Sequence, residues 1–330
     1  MRPIQITAIT LLLSVAPALS ASWTNINNSQ SIGSFFGIAG TSSETVAVGI
    51  DGRISTRNNS TGTWTIQTFT GNPDFRDVIY ANGQYVTVRE GGGVMTSLDG
   101  LSWTNHSSGT TNDLRALLWD GSSYFAAGQN GTILNSTNGS TWTARTSGVT
   151  TFFNSISYSG SRYVAAGGFG IRVSSDGFSW SAPTVAPPSI SFEASTWTGS
   201  QFIVGGLGGG STATLYGSVD GLTWSLLNST IKDNVESAIT VGGVTYITGA
   251  INGGGNGFVY SSTNGTNWQS TYPTPNGGEF FMDITTNGTS LIAAGFNHNV
   301  HSTSVPEPGA LSLLVGALGV FCWRRTRSNV

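Results

Sequence analysis

The chain has 330 residues with a formal net charge of −3 at pH 7; only 9% of its residues are charged, and 46 are Gly. So many turn formers and so little charge suit a large all-β domain dense in tight turns. Between the two ends acidic residues outnumber basic ones and no stripe of Lys or Arg forms, which excludes nucleic acid as a partner.

Residues 1–20 carry Arg2, a mostly apolar run from Ala8 to Val15 and the small-residue stretch Ala18-Leu19-Ser20. That order reads as a secretory signal peptide cleaved after Ser20. The single cysteine, Cys322, lies close to the other end. A mature exported domain would thus hold no disulfide and draw its stability from its core alone.

From residue 21 a beat sets in. Trp23, Trp64, Trp103, Trp142, Trp180, Trp224 and Trp268 follow one another at intervals of 41, 39, 39, 38, 44 and 44 residues. A period of this length means one supersecondary unit repeated. A second beat, a spacing of 14 residues, links Phe35 to Gly49, Phe75 to Arg89, Leu114 to Gly128, Phe153 to Gly167, Phe192 to Gly206, Val235 to Gly249 and Phe281 to Gly295. Within each copy the segments are short, rich in Val, Ile, Tyr, Phe and Thr, and separated by Gly, Asn, Asp and Ser, as in hairpin-linked strands. The third copy predicts four strands, at Leu114 to Trp119, Tyr124 to Gly128, Thr132 to Ser136 and Trp142 to Arg145. Four short antiparallel strands in about 40 residues make a β-propeller blade. The fold class is therefore all-β, a seven-bladed β-propeller of four-stranded antiparallel blades over residues 21–304.

The seventh copy stops at Ser304 before reaching a Trp, whereas the first begins directly with Ser22-Trp23-Thr24. The N-terminal strand is expected to complete the last blade and close the ring. Closure leaves only short outer edges unpaired, which limits edge-to-edge aggregation.

Most of the tryptophans are preceded by Ser or Thr, one residue, Asp or Asn, and Gly. Asp99, Asn138, Asp176, Asp220 and Asn264 hold the acid or amide position. A Ser hydroxyl and an Asp or Asn side chain two residues apart can satisfy the backbone N–H groups of the turn between third and fourth strands, while Gly takes its positive φ. The Trp then packs between blades. The pattern is similar to the Asp-box of bacterial neuraminidase repeats and of photosystem assembly factor propellers, but here the Trp follows the Asp by four residues, one fewer than the usual spacing.

A different column does not look built for packing. The residues that follow the opening apolar position of each first strand are Phe36, Arg76, Arg115, Asn154, Glu193, Glu236 and Met282. In a propeller that strand lines the central channel, and its start lies on the face opposite the Ser-x-Asp turns. Arg76, Arg115, Asn154, Glu193 and Glu236 are the candidate ligand-binding residues, one lip of the funnel positive and the other negative, suited to a polar or zwitterionic ligand. Solvated side chains or ion pairs around the mouth are the alternative. Glycine-rich loops at Gly205 to Gly210 and Asn252 to Asn256 are expected on the same face.

No catalytic constellation rises above the repeat. A sialidase on this architecture needs an arginine cluster, a Tyr activated by a Glu and an acidic proton donor. Here Tyr85, Tyr124, Tyr163 and Tyr246 fall on a second-strand column that reads as core. His298 and His301 are expected on one strand with opposite faces, and His106 in a loop, so no metal site and no cofactor is expected.

Residues 305–330 run from Pro306-Glu307-Pro308 through an apolar stretch from Gly309 to Trp323 to Arg324-Arg325-Thr326-Arg327. Triplet, membrane helix and basic tail in this order resemble the PEP-CTERM sorting signal of Gram-negative bacteria. The resemblance implies an inner-membrane precursor held by a C-terminal transmembrane helix, processing by an exosortase, and delivery to the outer surface or an exopolysaccharide matrix. An uncut membrane anchor is the alternative reading. The sequence thus describes an exported, surface-sorted, non-enzymatic binding or scaffolding propeller, with exopolysaccharide or another surface protein as partner. The alternatives are a sialidase-like or other carbohydrate-active enzyme and a non-catalytic carbohydrate-binding module.

Overall fold

The computed structural model describes residues 22–305 except 28–29, 169, 208–213, 229, 232, 252–255 and 273–279. The segments expected to act as signal peptide and sorting signal, including Pro306, Glu307, Pro308, Arg324 and Arg325, lie outside the described residues.

Seven antiparallel sheets follow one another along the chain, six of them built entirely from strands consecutive in sequence. They are the blades of a propeller, blade 1 spanning residues 35–68, blade 2 75–107, blade 3 114–145, blade 4 153–174, blade 5 192–228, blade 6 234–270 and blade 7 281–304. All seven pairs of the 14-residue beat are direct partners between first and second strands, from Phe35 with Gly49 to Phe281 with Gly295. The ring closes as expected. Thr24–Asn25 adds the outer strand of blade 7, with Thr24 opposite Ser302 and Asn25 opposite His301.

Blade 4 departs from the four-stranded expectation. Its sheet has three strands, and the fourth shrinks to one bridge between Val173 and Ser181. Two residues beyond Ser181 stands Pro183, where the next outward bond of the ladder would need an N–H that proline lacks. The chain leaves the sheet there, and Val185 bridges instead to Thr223 of blade 5.

Each interface between neighbouring blades holds its own apolar cluster, and each contains one tryptophan of the beat. Trp64 packs between blades 7 and 1, Trp103 between 1 and 2, Trp142 between 2 and 3, and Trp180 between 3 and 4. Trp224, Trp268 and Trp23 continue the series around the ring. Burial of such a ring contributes a few kcal/mol per side chain, on the order of the transfer free energy of a large apolar group. The polar handle is met as well. Five indole N–H groups, of Trp103, Trp142, Trp180, Trp224 and Trp268, donate to the carbonyl of the Gly three residues back, at 2.9–3.1 Å.

The turns before those tryptophans are built as the motif predicts. Asp99 Oδ1 accepts from Ser97 Oγ at 3.0 Å and from the N–H groups of Leu101 and Ser102 at 2.8 and 2.7 Å. Asn138, Asp176, Asp220 and Asn264 repeat the arrangement. Gly100 takes φ +67°, in the left-handed region where a side chain is strained. These acids therefore serve the turn. Backbone donors hold the carboxyls of Asp99, Asp176 and Asp220 below the usual carboxylate range.

Candidate functional site

In every blade the ladder between first and second strands slips by one residue just after the opening apolar position, as between Phe35 and Gly37 or between Leu114 and Ala116. The other five blades slip at the same place. The skipped residue is in each case the variable column: Phe36, Arg76, Arg115, Asn154, Glu193, Glu236 and Met282. A bulge leaves its extra residue unpaired and re-aims its side chain. Here all seven converge on one cavity of about 510 Å³ on the ring axis. The device has a sequence cost. A Cβ on Gly49, Gly128, Gly167, Gly206, Gly249 or Gly295 would overlap the carbonyl oxygen of the residue before the bulged strand's opening position.

The structure brings all five candidate ligand residues together at this mouth. Arg76 is paired, with Asp74 at 3.4 Å and with Glu90, and its guanidinium lies 4.4 Å from the centre of the Phe36 ring. Arg115 donates to Asn154 Oδ1 at 2.9 Å and stacks over Phe152, while its Nε is enclosed without a hydrogen-bond partner. On the opposite arc Glu193 Oε1 accepts from Ser191 Oγ at 2.8 Å. Glu236 accepts no hydrogen bond from any described residue. Burial and the charge of Glu193 push its carboxyl up to about 7, and burial likewise raises Glu193. The ion-pair expectation thus holds for Arg76 alone; no ion pair joins the two lips among the described residues.

One step deeper lies a ring that the sequence reading missed. Gly37, Asp77, Ala116, Ser155, Ala194, Ser237 and Asp283 occupy the position after the bulge. Asp283 accepts from Ile38 N at 2.8 Å, from Ile284 N at 2.8 Å and from Ser237 Oγ at 2.6 Å, which ties blade 7 to blades 1 and 6. Asp77 accepts from Leu117 N of blade 3 at 2.6 Å and from Val78 N at 2.7 Å. Both carboxyls are deeply enclosed yet keep part of their surface on the channel. Both are held above the carboxylate range, chiefly by burial, and Asp77 also by the charge of Asp283. The signal in the sequence was an acid recurring in a column otherwise filled by Gly, Ala and Ser.

Other candidates resolve differently. Tyr85, Tyr124, Tyr163 and Tyr246 are core, as expected. The Tyr163 hydroxyl donates to Asp120 Oδ2 at 2.6 Å, away from the channel. His106 sits on a strand, not in a loop, with Nε2 2.8 Å from Thr96 Oγ1, because the fourth strand of blade 2 runs on to Ser107. His298, by contrast, lies off any strand. It takes φ +63° in the turn before Val300, where Nδ1 accepts from Gly33 N at 2.8 Å. The glycine-rich loops fall largely outside the described residues.

Comparison with known proteins gives the fold and no family. No family model matches the chain, and no curated protein matches it. Solved structures do. The chain is similar to YCF48 bound to D1 peptide, at TM-score 0.67 and 15% identity over 88% of this chain and 96% of that one. It is similar to YCF48 from Cyanidioschyzon merolae, at TM-score 0.66 and 14% identity over 86% and 99% of the two chains. It is also similar to virginiamycin B lyase from Staphylococcus aureus, at TM-score 0.71 and 11% identity over 86% and 99%. At such identities the likeness is one of β-propeller architecture.

Proposed function

We propose that this chain is an exported, surface-sorted propeller of a Gram-negative envelope that works by binding, as a receptor or scaffold, and not by turnover. One observation carries the reading. Seven copies of the same bulge deliver seven side chains to one cavity, and this column varies in charge and polarity while the opening column is always apolar and its partner across the ladder is Gly in six of seven blades. In a repeat protein the repeated columns build the fold, so a site is sought where the repeats differ. The cavity is of a size common to small-molecule and peptide-end sites. A propeller of this architecture, YCF48, has been solved with a peptide bound, which supports a peptide or protein partner. The enzyme alternative draws on the lyase neighbour, which shares architecture alone. Export rests on the two terminal segments, with an exosortase as processing partner and exopolysaccharide or another surface protein as the target at the surface.

The test presents the full-length chain to arrays of peptides and glycans. Retention of a ligand that Arg115→Gln or Glu236→Gln weakens is the expected result. An array with no retained ligand would sink the binding reading, and turnover of a retained ligand would replace it with an enzyme.

A further inference from the structure

The two lips of the channel mouth are chemically opposed, and no ion pair joins them among the described residues. Arg76 is already engaged by Asp74 and Glu90, which lie off the ring. Arg115 keeps an enclosed, unpartnered Nε, and its guanidinium is fixed by Phe152 and Asn154. Across the cavity Glu236 has no hydrogen-bond donor among the described residues, and only Ser191 bonds Glu193. A partly buried carboxylate with no hydrogen-bond donor favours a cation beside it, and a guanidinium fixed at the opposite lip favours an anion. Arg115, Glu193 and Glu236 all line one cavity of about 510 Å³, with Arg115 Nε itself closed off from it.

We infer that the channel mouth takes a small zwitterion, a ligand whose primary ammonium sits between Glu193 and Glu236 and whose carboxylate faces Arg115. The inference rests on the binding reading above and narrows it to one ligand class. Orientation follows from charge. The ammonium supplies donors to the acidic arc, and the carboxylate accepts from the fixed guanidinium fork. The bulge geometry holds these side chains on strands, so the site is preformed and little ordering free energy opposes binding.

The probe is triglycine, with N-acetyl-triglycine and triglycine amide as blocked forms, titrated calorimetrically into the full-length chain. Binding of triglycine is expected, weakened at least about tenfold by blocking either end, as for loss of a hydrogen bond to a charged group. Glu236→Gln should weaken triglycine by a similar factor yet leave N-acetyl-triglycine unchanged, and Arg115→Gln should do the reverse, sparing the amide. A circular-dichroism melt of each variant guards against loss of fold. Equal binding of blocked and free forms, or no binding of triglycine, overturns the inference. A ligand recovered from the arrays that ignores both substitutions overturns it too while leaving the binding reading in place, whereas silence in titrations and arrays alike removes both.

Discussion

Trp23 donates its indole N–H to the carbonyl oxygen of Thr271 at 3.0 Å, joining residues 248 positions apart. The same ring meets Tyr272 edge to face at 5.6 Å, and Ile26 just beyond receives the indole N–H of Trp64 on its carbonyl. Closure is therefore a packed, hydrogen-bonded seam between blades 6, 7 and 1. Trp23→Ala should cost about 3 kcal/mol, the low end for a large aromatic because the residue is half-buried, and so lower Tm by about 6–12 °C. Deleting residues 22–26 should cost more, since it also removes the strand. An unchanged melting temperature for the deletion would mean that the seam contributes nothing.

Much of this fold was legible because the repeat fixes the period. The spacing of 14 residues between Leu114 and Gly128 is a register, and the structure keeps it in all seven blades. Blade 4 was misread because the Trp180 beat continues there while Pro183 breaks the ladder. The mouth residues were legible as a column, but the reason for them, a bulge, needs backbone hydrogen bonds that side-chain patterns do not reveal. Asp77 and Asp283 were passed over because an acid on a strand ordinarily marks a solvated face. Here it satisfies backbone donors of the neighbouring blade inside a channel.

The bulge makes a second prediction. Gly249→Ala would drive a Cβ into the carbonyl of Asn234, and overpacking of this kind costs about 1–3 kcal/mol. Arg89 occupies the same register in blade 2 with φ −148° and ψ 174°, whereas Gly128 takes φ −176° and ψ −150°. A side chain is thus accommodated only where the backbone turns away. Urea denaturation of Gly249→Ala should show a lower midpoint with an unchanged slope; wild-type stability would show that the other blades can turn away as readily.

The channel acids set a pH dependence whose sign is fixed. Asp77, Asp283 and Glu236 have folded-state values raised above those of the unfolded chain, so from about pH 4 upward the folded state holds more protons than the unfolded one. Stability then falls as pH rises through that window, to about 7 for Glu236. The turn acids Asp99, Asp176 and Asp220 act oppositely, their contribution being present above their unfolded value and lost as pH falls below it. Maximum stability is expected close to the unfolded carboxylate values, at about pH 4 to 5. Asp77→Asn should flatten the decline toward pH 8, whatever it does to absolute stability through its two backbone donors. An unaltered slope in denaturant midpoints from pH 4.5 to 8 would remove the channel acids as its cause.

The last prediction concerns fate, and it separates two readers of the same segment. A bilayer responds to the apolar stretch from Gly309 to Trp323, whereas a processing enzyme must read the triplet before it. Changing Pro306, Glu307 and Pro308 together to Ala leaves hydrophobicity and the basic tail intact. If the segment is a sorting signal, full-length precursor should accumulate in the inner membrane and the surface pool should vanish. The wild-type protein recovered from the surface should lack Cys322 and the arginines after it. Mass spectrometry of that C-terminus decides between sorting and anchoring, because a tail peptide containing Cys322 in surface material leaves only an uncut anchor.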